Sequence, residues 1–352
     1  MTISAVPPSL HDVCRRLSCD DHDLLVLDLA GLSIGNNGAI ALGCSLQANT
    51  QLQSLSLSYN LISPMGAVPL LKGIANVKAL DLRYNSIGKD GAQALASILH
   101  TNTKLQKLSI RNNYIGPNGA THLAKALEAN TCVEKLDLGT NSIGNVGAEA
   151  IAKLLQTNQT LRCLCLGSND LDAEGIRHIA QGLRYNTTLE VLNLGGNEIG
   201  DEGAKELAEM LRHNTTLQTL HVANSQIGRK GTLGLARVLT ENTTLQVLDI
   251  LHNPIGFEGA AALCGVLRIH NRTIKELRLD YQFPTRSVEK YCCKDVNAEI
   301  ALYLKLNQSG RAQMTNIRLP WGSWSTILAK VNGDADLMYL TLQEKPELLQ
   351  RS

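Results

Sequence analysis

The sequence predicts an α/β solenoid, in which short parallel strands alternate with helices and each strand–helix unit stacks on the next. Three observations predict this fold class. A pattern of about 28 residues recurs along most of the 352-residue chain, and each copy changes from strand-like to helix-like spacing of its apolar residues. Only 3 % of the residues are aromatic, so aliphatic side chains have to fill the interior, which suits a core built by repetition.

An asparagine that closes the pattern L-x-x-L-x-L-x-x-N defines the repeat. It stands at Asn60, Asn85, Asn113, Asn141, Asn169, Asn197 and Asn253, with Leu32 and Ser225 in the same slot of two further copies. The steps between these nine positions are 28 residues, except for 25 between Asn60 and Asn85, and a partial tenth copy begins at Ile274. Nine copies at nearly constant spacing indicate a repeat array.

The first part of each copy predicts a short strand with one buried face. In LQTLHV (217–222) and LEVLNL (189–194), the apolar residues alternate up to the asparagine slot. The asparagine side chain can bond backbone groups in the turn that follows, where no neighbouring strand satisfies them. We therefore expect the seven repeat asparagines to be structural.

The second part of each copy predicts a helix. In GAKELAEMLRHN (203–214), small and large aliphatic residues fall on one helical stripe. Asp90, Asp172 and Asp201 stand where an N-cap is expected in their copies. Stacked copies bury the strand and helix together, because one strand and one helix cannot bury a core alone.

The end of each helix carries a recurring Asn-Thr, as in NTTL at 186–189. This matches the acceptor pattern for N-glycosylation, but Asn49, Asn102 and Asn130 hold the same place without that pattern. The position therefore selects asparagine for a structural reason. We expect this asparagine to end the helix in the left-handed conformation.

The ends of the array differ from the repeats. We predict an N-terminal cap helix within residues 1–23, a solenoid of nine full repeats and a partial tenth over 24–281, and a connector with a helical C-terminal cap over 282–352. Trp321 and Trp324 are expected to pack on the last repeat. The alternative for the C-terminal segment is a small module that docks another protein.

The continuation N-x-I-G-x-x-G-A-x-x-L-A resembles the leucine-rich repeat family, in its 28-residue, ribonuclease-inhibitor-like subclass. The resemblance covers residues 24–272, about 70 % of the chain, and is strongest to the arrays of NOD-like receptors and of stand-alone protist and animal repeat proteins. It implies a right-handed solenoid (horseshoe) with the parallel β-sheet on the concave face and helices on the convex face. No P-loop motif occurs, so a nucleotide-binding module of the NOD-like kind is not expected.

Bulk composition limits the classes of partner. The chain has 33 basic and 32 acidic residues, a balance that gives no overall attraction to nucleic acid or anionic membranes. It has no run of 18 apolar residues, and its N-terminus lacks the basic and apolar regions of a secretory signal. The nine cysteines show no disulfide spacing. We expect a cytoplasmic monomer with reduced thiols that binds neither nucleic acid nor membrane.

The outward positions of the predicted strands give a candidate binding face with three zones. The first zone has the residue types that anchor protein interfaces, namely Tyr59, Arg83, Tyr84, Lys107, Arg111 and Asn112. The second is a floor left open by Gly139, Gly167, Gly195 and Gly196. The third is more acidic and contains His221, Asp249, His252 and Tyr281. The alternative for the first zone is a solvated face whose charges serve solubility.

The same positions predict no catalytic or metal site. His221 and Asp249 are expected on adjacent strands, but Cys165 lies two strands from His221, roughly 10 Å away, which is too far for a nucleophile and its base. Cys163 and Cys165 share a face without further close ligands for a metal ion. We expect no enzymatic activity, no cofactor and no metal.

The functional expectation is a non-catalytic cytosolic scaffold that binds a partner protein on its concave face by shape and charge. Two alternatives follow from the resemblance. Similarity to Ran GTPase-activating protein implies a regulator of a small GTPase, in which Arg83 or Arg111 would act, although the regular repeats and the lack of an acidic tail differ from that family. Similarity to NOD-like receptors implies a sensing arm of a signalling system.

Overall fold

The computed structural model describes residues 10–279 and, in one further helical segment, residues 300–301, 303–305 and 307–308. The chain divides into two compact units, Met1–Glu198 and Ile199–Ser352. Each unit is built from alternating strands and helices, as described in turn below.

The first unit contains seven strand–helix alternations among its described residues. Its helices are α1 (Leu10–Ser18), α2 (Gly35–Leu46), α3 (Pro64–Leu71), α4 (Gly88–Leu99), α5 (Gly116–Glu128), α6 (Gly144–Thr157) and α7 (Ala173–Leu183). Its strands are β1 (Val26–Asp28), β2 (Ser54–Ser56), β3 (Ala79–Asp81), β4 (Lys107–Ser109), β5 (Lys135–Asp137), β6 (Cys163–Cys165) and β7 (Val191–Asn193). Each strand pairs in parallel with the next one along the chain.

The second unit repeats this plan. Its helices are α8 (Gly200–His213), α9 (Arg229–Val238) and α10 (Gly256–Ile269), and its strands are β8 (Thr219–His221), β9 (Val247–Asp249) and β10 (Glu276–Arg278). Strand β9 pairs in parallel with both β8 and β10. The parallel sheets and alternating helices confirm the predicted α/β solenoid.

The core is formed by one leucine from the middle of each strand and by the apolar stripe of each helix. The middle leucines of neighbouring strands are register partners, as Leu80 is of Leu55 and Leu108. All three are at most 2 % exposed. Full burial of such a side chain contributes roughly 1.5–3 kcal/mol, so the repeated leucine stabilises each copy together with the other buried aliphatic residues.

The repeat asparagines join neighbouring copies through their side chains. Asn141 is 1 % exposed, and its Nδ2 donates to the carbonyl oxygens of Ile110 (2.9 Å) and Leu138 (3.0 Å). Its Oδ1 accepts the backbone N–H of Asn113 at 2.9 Å. Comparable bonds recur at Asn60, Asn85, Asn113, Asn169, Asn197 and Asn253. Each asparagine thus satisfies buried backbone groups that no strand ladder reaches.

A second series of asparagines follows the helices. The prediction that these asparagines adopt the left-handed conformation is wrong. Asn158 is the C-cap of α6 with φ −73° and ψ 129°, an extended backbone. Its Oδ1 accepts the N–H groups of Thr160 (2.9 Å) and Leu161 (2.8 Å), while Nδ2 donates to the Leu127 carbonyl at 2.8 Å. The slot therefore selects asparagine because its amide turns the chain and also binds the end of the preceding helix.

The aspartates expected at N-caps divide into two groups. Asp172 caps α7, since its side chain accepts the N–H of Glu174 at 2.7 Å. The expectation is wrong for Asp90 and Asp201, because α4 and α8 begin earlier, at glycines with φ near +60°. Asp201 instead caps the following helix, where Oδ1 accepts the N–H groups of Gly228 (2.9 Å) and Gly231 (2.7 Å).

The described residues near the ends show how the outer repeats are covered. Helix α1 buries Val13 and Leu17. In the segment 300–308, Ile300 and Tyr303 are buried and Asn307 Nδ2 donates to the Ile274 carbonyl at 2.7 Å. Tyr281, Trp321, Trp324 and most of 282–352 lie outside the described residues, so the proposed domain limits stay a prediction. Across the described part of the chain, no helix has the length and apolar character needed to cross a bilayer.

Candidate protein interface

The outward side chains of β2 to β6 form two straight columns, because these strands pair in register. The first column is Ser54, Ala79, Lys107, Lys135 and Cys163, and the second is Ser56, Asp81, Ser109, Asp137 and Cys165. Adjacent members are about 4.8 Å apart along the column, as strands are in any sheet. We call the surface formed by these columns, together with the second and third residues after each strand, the open sheet face. It belongs to the first unit.

An open groove of about 460 Å³ runs along this face. It is lined by both columns and by Arg83. The groove therefore brings together basic, acidic and thiol side chains from five consecutive repeats.

Tyr59 and Tyr84 lie at one end of the open sheet face and stack on each other. Their ring centroids are 4.2 Å apart and the planes differ by 9°. Tyr59 is 56 % exposed, and both residues have φ between 55° and 57°. Local desolvation and then the hydrogen bond with Tyr84 raise the pKa of Tyr59. The two stacked rings form one aromatic platform that solvent can reach.

Asp81 holds the side chain of Arg83, which lines the groove. Its Nε is 3.0 Å from Asp81 Oδ1 and its Nη2 is 2.7 Å from Oδ2, a forked pair. Hydrogen bonding to Asp81 also raises the pKa of Arg83. The positive charge of Arg83 is thus largely balanced by Asp81, two residues earlier in the chain.

Arg111 differs from Arg83, because its guanidinium group has no hydrogen bond or ion pair with any other residue in the described part of the chain. It lies over Gly139, where an added Cβ atom would be 2.8 Å from Arg111 Nη1. The floor expected to be open at this glycine is therefore occupied by the arginine. Asn112 follows Arg111, and its N–H bonds the Gly139 carbonyl at 2.9 Å.

Lys107 and Lys135 are register partners on β4 and β5, and both are exposed. Within the described residues neither ammonium group has a hydrogen bond or an ion pair. Like charges directly opposite each other in a sheet repel, so this pair favours an anionic group from outside. Lys135 is absent from the binding face predicted from the sequence, although the alignment of repeats places it in the same slot as Lys107.

The third predicted zone lies in the second unit. His221 Nδ1 is 3.3 Å from Asp249 Oδ2, and Arg278 Nη1 is 3.7 Å from the same oxygen. Asp249 is 7 % exposed, so its carboxylate is buried between an imidazole ring and a guanidinium group. His252 occupies the turn after β9 with φ 56°. Tyr281, the fourth residue of this zone, lies outside the described residues.

Comparison with known proteins identifies the repeat. The Leucine Rich repeat family model matches seven segments, 74–96, 101–124, 129–152, 157–180, 185–208, 213–236 and 241–264. The search of curated proteins gave no match.

Three solved structures with similarity to the chain have low sequence identity. A chain of the yeast Rad7–Elc1 complex has 17 % identity and a TM-score of 0.46, over 83 % of this chain and 81 % of that one. A Listeria monocytogenes internalin has 20 % identity and a TM-score of 0.44, over 72 % and 59 %. Leiomodin-1 actin-binding site 2 has 18 % identity and a TM-score of 0.41, over 46 % and 90 %. The seven family matches, together with the alternating parallel strands and helices, identify residues 74–264 as an array of leucine-rich repeats.

Proposed function

We propose that the chain is a non-catalytic scaffold that binds a partner protein on the open sheet face of its first unit. The observation that carries this proposal is the pair Lys107 and Lys135, two exposed ammonium groups in register without a counter-ion in the described part of the chain. Such a pair is a cost to the isolated chain unless a partner supplies negative charge.

The surroundings of the lysine pair indicate an acidic partner surface. Arg111 adds a third positive group that lacks a carboxylate partner among the described residues. The Asp81 carboxylate is paired with Arg83. The Asp137 carboxylate accepts hydrogen bonds from the Ser109 hydroxyl and the Gly139 N–H. The groove therefore offers more positive than negative charge to a docking chain, and charge of this kind sets specificity and association rate.

The tyrosine platform gives the interface an apolar anchor. Tyr59 and Tyr84 hold a slot with positive φ that glycine fills in two other copies and that Asn, Thr, Ser or His fills in five. A left-handed conformation costs a side chain with Cβ about 1–2 kcal/mol, which glycine avoids. Tyrosine in two adjacent copies of this slot thus destabilises the fold. Large exposed aromatic rings are typical of binding hot spots.

Several finer assignments belong to the same proposal. The steps of 28 residues between register partners, such as Leu108 and Leu136, favour the ribonuclease-inhibitor-like subclass and an array similar to those of NOD-like receptors. We propose that the chain acts in the cytoplasm as a monomer, in keeping with the absence of a disulfide among the cysteines that the structure describes.

Regulation of a small GTPase is the alternative with less support. It requires an arginine that can extend toward a bound nucleotide. Arg83 would first have to leave its forked pair with Asp81, so only Arg111 is available for such a role. A panel of small GTPases tests this alternative, since acceleration of GTP hydrolysis that is lost in Arg111→Ala would favour it over a scaffold.

The scaffold proposal is tested by affinity purification from a cell extract followed by mass spectrometry, with two matched double variants. Lys107→Glu/Lys135→Glu reverses the lysine pair, whereas Lys89→Glu/Lys125→Glu makes the same charge change on helices α4 and α5 of the same unit. We expect a set of proteins retained by the wild type and by the helix variant but lost from the strand variant. Equal retention by all three would show that the open sheet face is not the binding surface.

A further inference from the structure

The turns beside the tyrosine platform carry three further large apolar side chains that solvent can reach. Leu61 and Met65 are each 74 % exposed, and Tyr114 is 69 % exposed. Leu61 and Tyr114 each follow a repeat asparagine, and Met65 lies in the first turn of α3. We call these three residues, together with Tyr59 and Tyr84, the apolar turn edge.

The turns that carry the apolar turn edge are adjacent in the first unit. The backbone N–H of Ser86 donates to the Ile62 carbonyl at 2.8 Å, and that of Gly88 donates to the Asn113 carbonyl at 3.0 Å. These bonds join the turns after β2, β3 and β4 in one row. Ser86 takes the middle slot of this row, so a small residue stands between two large apolar ones.

Most copies fill the slot after the repeat asparagine with a polar residue. Four polar residues hold it with φ between 49° and 57°, namely Ser33, Ser142, Asp170 and Gln226. Leu61 and Tyr114 adopt the same left-handed conformation, with φ of 57° and 56°. This conformation is unfavourable for a residue with a Cβ atom, and exposure to water is unfavourable for an apolar side chain. Both costs fall on the isolated chain, and a partner that covers the two side chains removes the second.

We propose that the apolar turn edge binds large apolar residues of an extended acidic segment of the partner protein, whose carboxylates lie over the lysine pair. This inference rests on the proposed function. It specifies the chemistry of the partner segment, and it extends the interface from the open sheet face to the neighbouring turns.

The charge of the open sheet face determines the charge of the segment. This face has four cationic side chains and two carboxylates, so it carries two positive charges in excess; they are Arg83, Lys107, Arg111 and Lys135, and Asp81 and Asp137. Arg111 lies next to the tyrosine platform, because its carbonyl accepts the N–H of Tyr84 at 2.9 Å. A segment that crosses from the turn edge to the lysine pair therefore passes positive charge along β4, which aspartate or glutamate complements.

The length of β4 sets the spacing between the acidic and apolar residues of the segment. Lys107 and Arg111 are four residues apart, which corresponds to about 13 Å in an extended strand. An extended segment covers this distance with about four residues, whereas a helix needs about nine. We therefore expect acidic and large apolar residues about four positions apart in the segment.

The test selects peptides that bind the immobilised full chain from a phage-displayed library of random dodecapeptides. We expect the enriched peptides to combine aspartate or glutamate with leucine, phenylalanine or tryptophan about four positions away. An enriched peptide is then synthesised with a fluorescent label, and fluorescence anisotropy gives its Kd. Enriched peptides without this combination of residues, or a library without enrichment, overturn the proposal.

Two double variants distinguish the turn edge from other exposed apolar residues. Leu61→Ser/Tyr114→Ser introduces the residue that two other copies carry in this slot with positive φ, so we expect it to fold. Leu25→Ser/Tyr185→Ser removes a leucine and a tyrosine that are 42 % and 79 % exposed elsewhere in the same unit. The Kd of the peptide should rise at least about ten-fold in the first variant and stay unchanged in the second. An unchanged Kd in the first variant overturns the proposal, and circular dichroism establishes that both variants are folded.

The lysine variant Lys107→Glu/Lys135→Glu separates a failure of this inference from a failure of the proposed function. If the lysine variant loses the peptide and Leu61→Ser/Tyr114→Ser retains it, the scaffold proposal stands and the inference fails. If both variants retain the peptide, both proposals fail.

Two further measurements address other occupants of the apolar turn edge. Sedimentation with vesicles of phosphatidylserine and phosphatidylcholine tests a membrane surface, and analytical ultracentrifugation of the chain alone tests a second copy. We expect no binding to the vesicles and no self-association. Vesicle binding or self-association that Leu61→Ser/Tyr114→Ser abolishes would assign the turn edge to that occupant and overturn the proposal.

Discussion

Tyr84 stacks on Tyr59 with ring centroids 4.2 Å apart, although the step between their two repeats is the short one, of 25 residues. The three missing residues do not disturb the strands, since Ser54 still pairs with Ala79 in register. The helical side absorbs the difference: α3 has 8 residues, whereas α2 and α4 have 12 each. A shortened helix therefore leaves the columns of the open sheet face intact, and two tyrosines in equivalent slots meet.

The tyrosine platform should contribute to binding more than to folding. Replacement Tyr84→Gly removes the stack, a loss of about 0.5–1.5 kcal/mol, but also removes the left-handed strain of about 1–2 kcal/mol. We expect the midpoint of urea unfolding to change little, while retention of the partner falls. Tyr185→Gly is the control, because Tyr185 is 79 % exposed near the end of α7 and lies off the open sheet face. Strong unfolding of Tyr84→Gly would mean that the rings are structural.

The lysine pair should make partner binding sensitive to salt. At ionic strengths near 1 M the screening length falls to about 3 Å, so attraction between an acidic partner and exposed ammonium groups is largely lost. We expect the association rate to fall with salt for the wild type, and the fall to be smaller for Lys107→Ala/Lys135→Ala. Thermal stability of the double variant should equal or exceed that of the wild type, because a like-charge contact is removed. The same salt dependence in both proteins would exclude the pair from the interface.

The repeat asparagines should contribute strongly to the free energy of unfolding, through the turns that follow the strands. Asn141→Ala leaves the buried Asn113 and Ile115 N–H groups without the side-chain oxygen that accepts them, and it removes one of the two amide donors to the Ile110 carbonyl. Leaving buried polar groups unpaired costs about 1–3 kcal/mol each, so we expect a loss of about 3–5 kcal/mol in the free energy of unfolding.

Urea unfolding of Asn141→Ala and of the exposed neighbouring variant Ser142→Ala provides the comparison. The second variant should lie within about 0.5 kcal/mol of the wild type, as surface changes usually do. Asn141→Ser should fall between them, because serine occupies this slot at position 225 and bonds a carbonyl there, from Ser225 Oγ to Ala223 at 3.0 Å. Equal stability of Asn141→Ala and Ser142→Ala would contradict a structural role for the repeat asparagines.

The sequence was sufficient to predict the solenoid, its strands and the columns of neighbouring side chains. Each of these follows from the regular spacing of the leucines and asparagines. It could not predict which partner a side chain selects. Asp201 caps the helix of the following repeat instead of its own, and Arg83 bonds Asp81 instead of extending into solvent. Long and polar side chains reach several neighbours at similar cost, and the backbone pattern does not decide among them.

The acidity of Cys163 should appear as a difference in the pH dependence of alkylation. A thiol whose pKa is lowered to about 7 is mostly thiolate above that pH, so its rate of reaction with iodoacetamide should rise between pH 6 and 8 and then level off. Lys135→Ala removes a positive charge that favours the thiolate, so the rise should move to higher pH. Lys125→Ala on helix α5 should leave the profile of Cys163 unchanged. Mass spectrometry of the tryptic peptide 163–177 gives these rates of alkylation. An identical pH profile in Lys135→Ala would rule out an effect of this lysine on the thiol.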